Sequence, residues 1–127
     1  MGLDFSVGQS WLRCRPWIEA ALEHTHGTHS IADIEDGIAS GAYQFWCTEN
    51  SAAITEILEF PRLKALNFFL LGGDLSELLD ILEPRICDFA KFMGCARVMG
   101  AGRRGWERVL SHHDYRFGGT TMFKELS

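Results

Sequence analysis

The sequence lacks several features that would assign it to a broad class at once. Its longest apolar runs have only the length of a strand, so no segment is predicted to cross a membrane. No charged stretch followed by an apolar one opens the chain, so we predict no secretory signal. There are no repeats, linkers or low-complexity tracts, and residues 1–127 are therefore predicted to form one domain.

Cysteine usage indicates the redox state that we expect for the chain. The chain has no Cys-x-x-Cys pair, and its cysteines are scattered at Cys14, Cys47, Cys87 and Cys95. Cys47 and Cys95 fall in or beside predicted strands. We therefore expect reduced, buried thiols in a cytosolic setting.

The net charge of −5 hides an uneven distribution. Residues 1–60 contain nine acidic side chains against Arg13 and Arg15, whereas six of the nine charged residues in 97–127 are basic. An acidic chain of this kind is not expected to bind nucleic acid through bulk charge. The basic C-terminal part is interpreted either as a local anion site or as a solvated arginine face.

The most informative stretch is 64–126, which predicts strand, helix, strand, helix, strand. Residues 64–71 form an almost continuous apolar run, typical of a strand covered on both faces. Asp74, with an acid three residues later, predicts a helix N-cap, and apolar residues then recur at helical spacing as far as Gly94. Residues 96–99 predict a short parallel strand. In such a unit we expect a ligand near the end of the first strand.

Pro84 lies inside the predicted long helix and should kink or split it near residues 82–83. Upstream, residues 3–7 predict a short first strand, and 15–23 a helix with Pro16 in its first turn. Ser30 predicts the start of a second helix, which Gly41 ends. Strands are predicted at 43–48 and 52–60.

This element order resembles that of GNAT-type N-acetyltransferases. The residues that carry the resemblance are Gly-Cys-Ala-Arg-Val at 94–98, Arg-Arg-Gly-Trp at 103–106 and the closing Asp114-Tyr115. The resemblance implies an α/β fold of the acyl-CoA N-acyltransferase type, a mixed central sheet flanked by about four helices. More narrowly, the chain resembles small GNAT-like proteins of tailed bacteriophages and prophages.

The resemblance also implies where acetyl-CoA would bind. In active members, a glycine-rich loop after the fourth strand cradles the pyrophosphate with its backbone N–H groups. Here Gly72, Gly73 and the N–H of Ser76 would do so, with Arg103 and Arg104 near the CoA phosphates. The loop departs from the family pattern because its leading basic residue is absent and the carboxylate of Asp74 stands at the phosphate site. Bound acetyl-CoA and no cofactor are therefore left as equal alternatives.

Candidate catalytic residues are few. Many active members have a tyrosine five residues before the closing aromatic, which protonates the departing thiolate. That position is Leu110 here, so Tyr115 itself is the remaining candidate acid, or else a core residue. Glu56 is the candidate general base, with Glu59 on the same predicted strand. Asn67, which interrupts an apolar strand, is either a satisfied structural amide or a ligand contact.

Histidines cluster in the loop that contains His24, His26 and His29. Imidazoles at this spacing can coordinate zinc. However, Thr28 stands where a metallo-β-lactamase-like motif would need an aspartate, so we interpret them as solvated loop residues and predict no metal site. The resemblance places this loop beside the cleft for the acceptor substrate.

Two functional hypotheses follow. The preferred one is a virion-associated or interaction component with little or no acetyl transfer, found in the host cytoplasm or the virion. It would have a phage or host protein partner, no sequence-specific nucleic acid and no membrane association, with oligomerisation left open. The alternative is an acetyl-CoA-dependent N-acetyltransferase that acts on a protein or a small amine. A V-shaped opening between the strands at 65–71 and 96–99 would favour the enzyme.

Overall fold

The centre of the fold is a four-stranded mixed sheet. The computed structural model describes residues 5–101, 108–119 and 122–126. The strands are β1 (Tyr43–Cys47), β2 (Ser51–Glu59), β3 (Lys64–Gly73) and β4 (Arg97–Gly100), and they lie in that order across the sheet. The first two neighbouring pairs are antiparallel, and β3 pairs with β4 in parallel. The strands predicted at 43–48, 52–60, 64–71 and 96–99 and the parallel unit are confirmed.

Helices cover both faces of the sheet. On one face lie α1 (Phe5–Leu22) and α2 (Ile31–Ser40). On the other lies α3, which spans 75–92 and consists of an α-helical turn (Leu75–Glu77), a π-helical segment (Leu78–Leu82) and a longer α-helical part (Glu83–Phe92). Helical residues 108–110 lead into a 3₁₀ turn at Ser111–His113. None of the described helices is both long and apolar enough to span a bilayer.

The start of the chain differs from the prediction. Residues 3–7 were expected to form a strand, but α1 already begins at Phe5, and Leu3 lies outside the described residues. The reason is the longer helical period that follows, in which Trp11, Cys14 and Ile18 are all buried. Pro16 consequently lies in the interior of α1, not in a first turn.

The other helix boundaries follow local signals. Ser30 caps α2, since its hydroxyl accepts from the N–H of Asp33 and the Asp33 carboxylate accepts from the N–H of Ser30. Gly41, at φ +85°, ends α2 as predicted. Gly94, at φ +82°, follows α3 and its N–H donates to Lys91 O.

Pro84 splits α3 by a mechanism that the sequence only partly indicates. The proline occupies the first turn of the α-helical part, where its missing N–H costs little. The preceding turn widens into the π-helical segment Leu78–Leu82, and the N–H of Glu83 bonds to Leu78 O. The helix therefore adjusts by widening one turn next to the cavity described below.

Two apolar cores lie on opposite faces of the sheet. The first joins α1 and α2 to β2 and β3 through Trp11, Cys14, Ile18, Ile34, Ala52, Ile54 and Leu70. The second joins α3 to the other face through Ala53, Leu66, Leu78, Leu82, Ile86 and Ala90. Alternate residues of β2 therefore enter different cores, as expected for a strand covered on both sides.

The closing part of the chain does not match the prediction of a final strand. Residues 115–119 and 122–126, as far as the structure describes them, belong to no strand. The side chains of Phe117, Met122, Phe123 and Leu126 are exposed there. The final strand predicted for the stretch 64–126 is therefore not formed by these residues, and none of them pairs with β4 at the edge of the sheet.

Candidate functional site

A β-bulge in β3 lies at the end of its pairing with β4. Ile54 of β2 opposes Leu70, whereas the next residue, Thr55, opposes Phe68, so Phe69 is the extra residue. The pairing of β3 with β4 runs only from Ala65 opposite Arg97 to Phe68 opposite Gly100. The pairing stops at the bulge because β4 ends at Gly100. Beyond it, Phe69, Leu70 and Leu71 of β3 and the following Ala101 border a common space, which we call the opening.

The opening leads into a cavity of about 130 Å³. On one face of the sheet it is bounded by Ala21 and His24, and on the other by the π-helical segment of α3. The further lining residues are Ala53, Phe68, Phe69, Leu70, Leu71, Leu78, Leu79, Leu82, Glu83, Ile86, Gly100, Ala101, Leu110 and Tyr115. The cavity therefore has lining residues from both faces of the sheet and from the ends of β3 and β4. Its walls are mostly apolar, with a small number of polar groups, as is typical of a ligand site.

One row of side chains crosses the sheet just before the opening. Tyr43 opposes Glu56, Glu56 opposes Asn67, and Asn67 opposes Met99. Directly opposed residues share a face, and Tyr43 packs against the core formed with α1 and α2. The carboxylate of Glu56 is therefore on the α1 and α2 side, partly exposed. Glu59 is exposed at the far end of the same strand.

Aromatic rings continue this row towards the histidine loop. The ring of Tyr43 lies 5.6 Å from that of Phe69, and the ring of His29 lies 4.7 Å from Phe69 in an edge-on arrangement. Burial, followed by the nearby carboxylates of Glu56 and Asp33, raises the pKa of Tyr43. We call Tyr43, Glu56, Asn67, Phe69 and His29 the acceptor face. It combines a carboxylate, an amide and aromatic surface next to the opening.

The N-terminus of α3 already has internal hydrogen-bond partners. The carboxylate of Asp74 accepts from the N–H of Glu77 at 3.0 Å, which confirms the predicted N-cap. The carboxylate of Glu77 accepts from the N–H of Asn50 at 3.2 Å, and hydrogen bonds from Thr48 and Asn50 lower its pKa. Two carboxylates thus stand at the N-terminus of α3, where the resemblance places a pyrophosphate and the N–H of Ser76 as one of its donors.

Close packing of neighbouring residues explains why both positions at the end of β3 are glycine. A Cβ at Gly72 would lie 2.8 Å from the Cβ and carbonyl oxygen of Trp17 in α1. Gly73 has φ +92°, and a Cβ there would lie 2.2 Å from the carbonyl oxygen of Asn50. Protein backbone therefore already approaches both glycines closely.

Tyr115 lies at the cavity wall with two residues that sequence reasoning missed. Its hydroxyl donates to Oε1 of Glu83 at 3.3 Å, and the Cys87 thiol donates to the same oxygen at 2.8 Å. Burial and then the Glu83 carboxylate raise the pKa of Tyr115, so its hydroxyl stays protonated at neutral pH. Burial also raises the pKa of Cys87 to about 12. The role of Glu83 could not be recognised in the sequence, because a glutamate at a polar position of an amphipathic helix is ordinary.

The histidine loop does not bring its side chains together. His24 lines the cavity, His29 contacts Phe69, and the ring of His26 lies 4.6 Å from that of Phe123. No group of three or more metal-ligating side chains is arranged to hold an ion within the described parts of the chain. The loop adjoins the acceptor face through His29.

The predicted site residues thus fall into separate places. Glu56 lies on the acceptor face and Tyr115 at the cavity wall, on opposite sides of the sheet. Gly72 and Gly73 were predicted to form a loop, but they are the last residues of β3 and pair with Ala52 and Ser51, while Ser76 lies in the first turn of α3. Arg103, Arg104 and Trp106 lie outside the described residues, so their predicted roles stay predictions.

Comparison with solved structures identifies the fold. An aminoglycoside acetyltransferase from an uncultured soil metagenomic sample, in complex with sisomicin, matches with a TM-score of 0.65 at 11% identity, over 94% of this chain and 90% of that one. Glucosamine-6-phosphate N-acetyltransferase from Arabidopsis thaliana matches with a TM-score of 0.58 at 17% identity, over 100% and 97%. A Trypanosoma brucei acetyltransferase matches with a TM-score of 0.59 at 17% identity, over 76% and 78%.

No family model matches the sequence, and no curated protein does. The structural matches lie below 25% identity and therefore establish the architecture alone. The chain has a GNAT-like fold, with a mixed sheet between two layers of helices, and the predicted fold class is confirmed.

Proposed function

We propose that this chain is an acyl-CoA-dependent N-acyltransferase, with acetyl-CoA as the simplest donor. The observation that carries the proposal is the cavity at the end of the β3–β4 pairing, beside the Phe69 bulge, with lining residues from both faces of the sheet. A domain that had kept only the scaffold would have no need for an apolar passage at this point. The proposal therefore follows the second of the two sequence-based hypotheses.

The cavity suits the pantetheine arm of the donor. Pantetheine is a slim chain with amide groups. Among the described residues, the pairing of β3 with β4 ends at Phe68. The backbone groups of residues 69–71 that face the opening are therefore available to bond those amides. Leu78, Leu79 and Leu82 supply apolar walls along the arm.

The passage would bring the thioester towards the acceptor face. The row that contains Glu56 and Asn67 lies one residue pair before the end of the β3–β4 pairing. We propose that Glu56 accepts the proton of the incoming amine as its nitrogen attacks the thioester carbonyl. The C–S bond then breaks, and the departing thiolate takes up a proton. Tyr115, at the cavity wall, is the proposed source of that proton.

The phosphate end of the donor is the weaker part of the site. Asp74 and Glu77 place negative charge at the α3 N-terminus, where the helix would otherwise favour an anion. The predicted contribution of Arg103 and Arg104 would offset part of this charge. We therefore expect a CoA ester to be held mainly by its arm, with weak binding of the diphosphate.

Calorimetric titration with acetyl-CoA and with CoA tests the proposal. Leu79→Trp should fill the cavity and abolish binding of both ligands, because Leu79 lines the passage. Leu75→Trp is the matched control, since Leu75 is exposed one turn earlier in α3 and does not line the cavity. Thermal unfolding of both variants checks that they are folded. If native protein binds neither ligand, or if both variants bind alike, the proposed site is wrong.

The phage and virion association stays a prediction. The three solved structures described above are acetyltransferases from a trypanosome, a plant and a soil sample, and they give no support to that narrower resemblance. A phage or host protein partner likewise has no observation behind it among the described residues. If the chain binds no CoA ester, the interaction role becomes the better hypothesis.

A further inference from the structure

Two cysteines far apart in sequence meet in the core between α1 and the sheet. Cys14 of α1 is fully buried, and Cys47, the last residue of β1, packs against the same apolar cluster. The position of Cys47 is partly exposed. β1 is an edge strand of the described sheet, so this end of the core lies close to solvent.

Specific contacts fix α1 against the turn that follows Cys47. The guanidinium of Arg13 donates to Thr48 O at 2.8 Å, and Sγ of Cys14 lies 4.0 Å from Ser51 O. The same Ser51 oxygen accepts from the N–H of Thr48 at 2.9 Å. Residues 13 and 14 are therefore held directly over the end of β1, which brings the Cys14 sulfur next to that of Cys47.

The surroundings of the two sulfurs assign them different roles. Burial and, to a smaller extent, the neighbouring Cys47 thiol raise the pKa of Cys14 to about 11, against the opposing effect of Arg13. Cys14 therefore remains a thiol at neutral pH and cannot react first. Cys47 is the sulfur that a small oxidant can reach.

We propose that Cys14 and Cys47 are a modification site, at which a peroxide forms a reversible disulfide between α1 and β1. In the first step the Cys47 sulfur attacks hydrogen peroxide, the O–O bond breaks, and a sulfenic acid and one water result. In the second step the Cys14 sulfur attacks the sulfenic sulfur, the S–O bond breaks, and the hydroxyl leaves as water with the Cys14 proton. Two thiols and one peroxide thus give one disulfide and two waters.

This modification is independent of the proposed acyl transfer. It would, however, tie α1 to the turn that supports the start of α3, because Asn50 in that turn accepts from the N–H of Asp74 at 2.7 Å. The crosslink also closes a loop that spans residues 14–47. Restriction of that loop in the unfolded chain should raise the midpoint of thermal unfolding by roughly 10 °C.

The test is oxidation of the full chain with hydrogen peroxide, followed by alkylation, proteolysis without reductant and mass spectrometry. We expect a Cys14–Cys47 crosslinked peptide that dithiothreitol reverses, with Cys87 and Cys95 still alkylated. Cys47→Ser should lose the crosslink and the rise in unfolding midpoint. Cys95→Ser, a matched control at another partly exposed cysteine, should keep both.

The direct peptide map of the unaltered chain decides the question even if a variant fails to fold. Separate alkylation of Cys14 and Cys47 after oxidation would overturn the proposal. So would a crosslink that joins other cysteines or two copies of the chain. An oxidised form that contains the crosslink but melts no higher than the reduced form would overturn the expected stabilisation.

Discussion

Removal of the Asp74 charge should strengthen the binding of acetyl-CoA while leaving the binding of its arm unchanged. Asp74→Asn keeps a side-chain oxygen that can accept from the N–H of Glu77, so the cap on α3 is retained. The substitution removes one negative charge from the place where the diphosphate would lie. It therefore separates the electrostatic role of the residue from its structural role.

The expected size of the effect follows from the exposure of the carboxylate. Two unit charges about 4 Å apart repel by about 1 kcal/mol in a water-like dielectric and by about 4 kcal/mol at an effective dielectric of 20. Asp74 is exposed, so the lower limit applies. About 1 kcal/mol corresponds to a decrease of about five-fold in Kd. The gain should shrink as salt is added, since exposed charges are screened.

The assay is calorimetric titration of the unaltered chain and of Asp74→Asn with acetyl-CoA and with S-acetylpantetheine, which lacks the diphosphate. Asp88→Asn, at an exposed position of α3 away from its start, is the control for net charge. Only Asp74→Asn should improve acetyl-CoA binding, and no variant should change pantetheine binding. Equal improvement for both ligands, or an equal effect of Asp88→Asn, would refute the reasoning.

Three further predictions concern the same region. Gly73→Ala should lower the free energy of unfolding in urea by about 2–4 kcal/mol, because the new Cβ would lie 2.2 Å from Asn50 O and the residue has φ +92°. Gly94→Ala is the control: its φ is similar, at +82°, but the space around it is open, so the loss should be about 1 kcal/mol. The hydrogen bonds that lower the pKa of Glu77 add stability that is fully present above its ordinary pKa of 4.5 and is lost as the pH falls through the lower folded-state pKa. The stability difference between the unaltered chain and Glu77→Gln should therefore shrink in acid, and a constant difference would contradict it. Glu56→Gln should lower kcat with an amine acceptor by about 100-fold, because the proposed general base is lost. Glu59→Gln, at the exposed end of β2, should leave kcat nearly unchanged. Equal losses of kcat in the two variants would exclude Glu56 as the base.

Local signals in the sequence determined much of the fold. The capping box at Ser30, the cap at Asp74 and the glycines at 41 and 94 each act within a few residues, so their positions could be predicted and are confirmed. The apolar run of β3 predicted a strand covered on both faces for the same reason. The strand expected at residues 3–7 was wrong because a short alternation competes poorly with the long helical period of α1.

The site depended on tertiary structure. A β-bulge at Phe69 arises from the register between β2 and β3, which no local pattern of β3 encodes, and it lies where the pairing with β4 ends and the cavity begins. The hydrogen bonds of Glu83 with Cys87 and Tyr115 join parts of the chain that meet only after folding. By itself, the sequence determined which segments form helices and strands, because those choices rest on nearby residues. Where the strands separate, and which side chains face the gap, was decided by packing between segments distant in the chain.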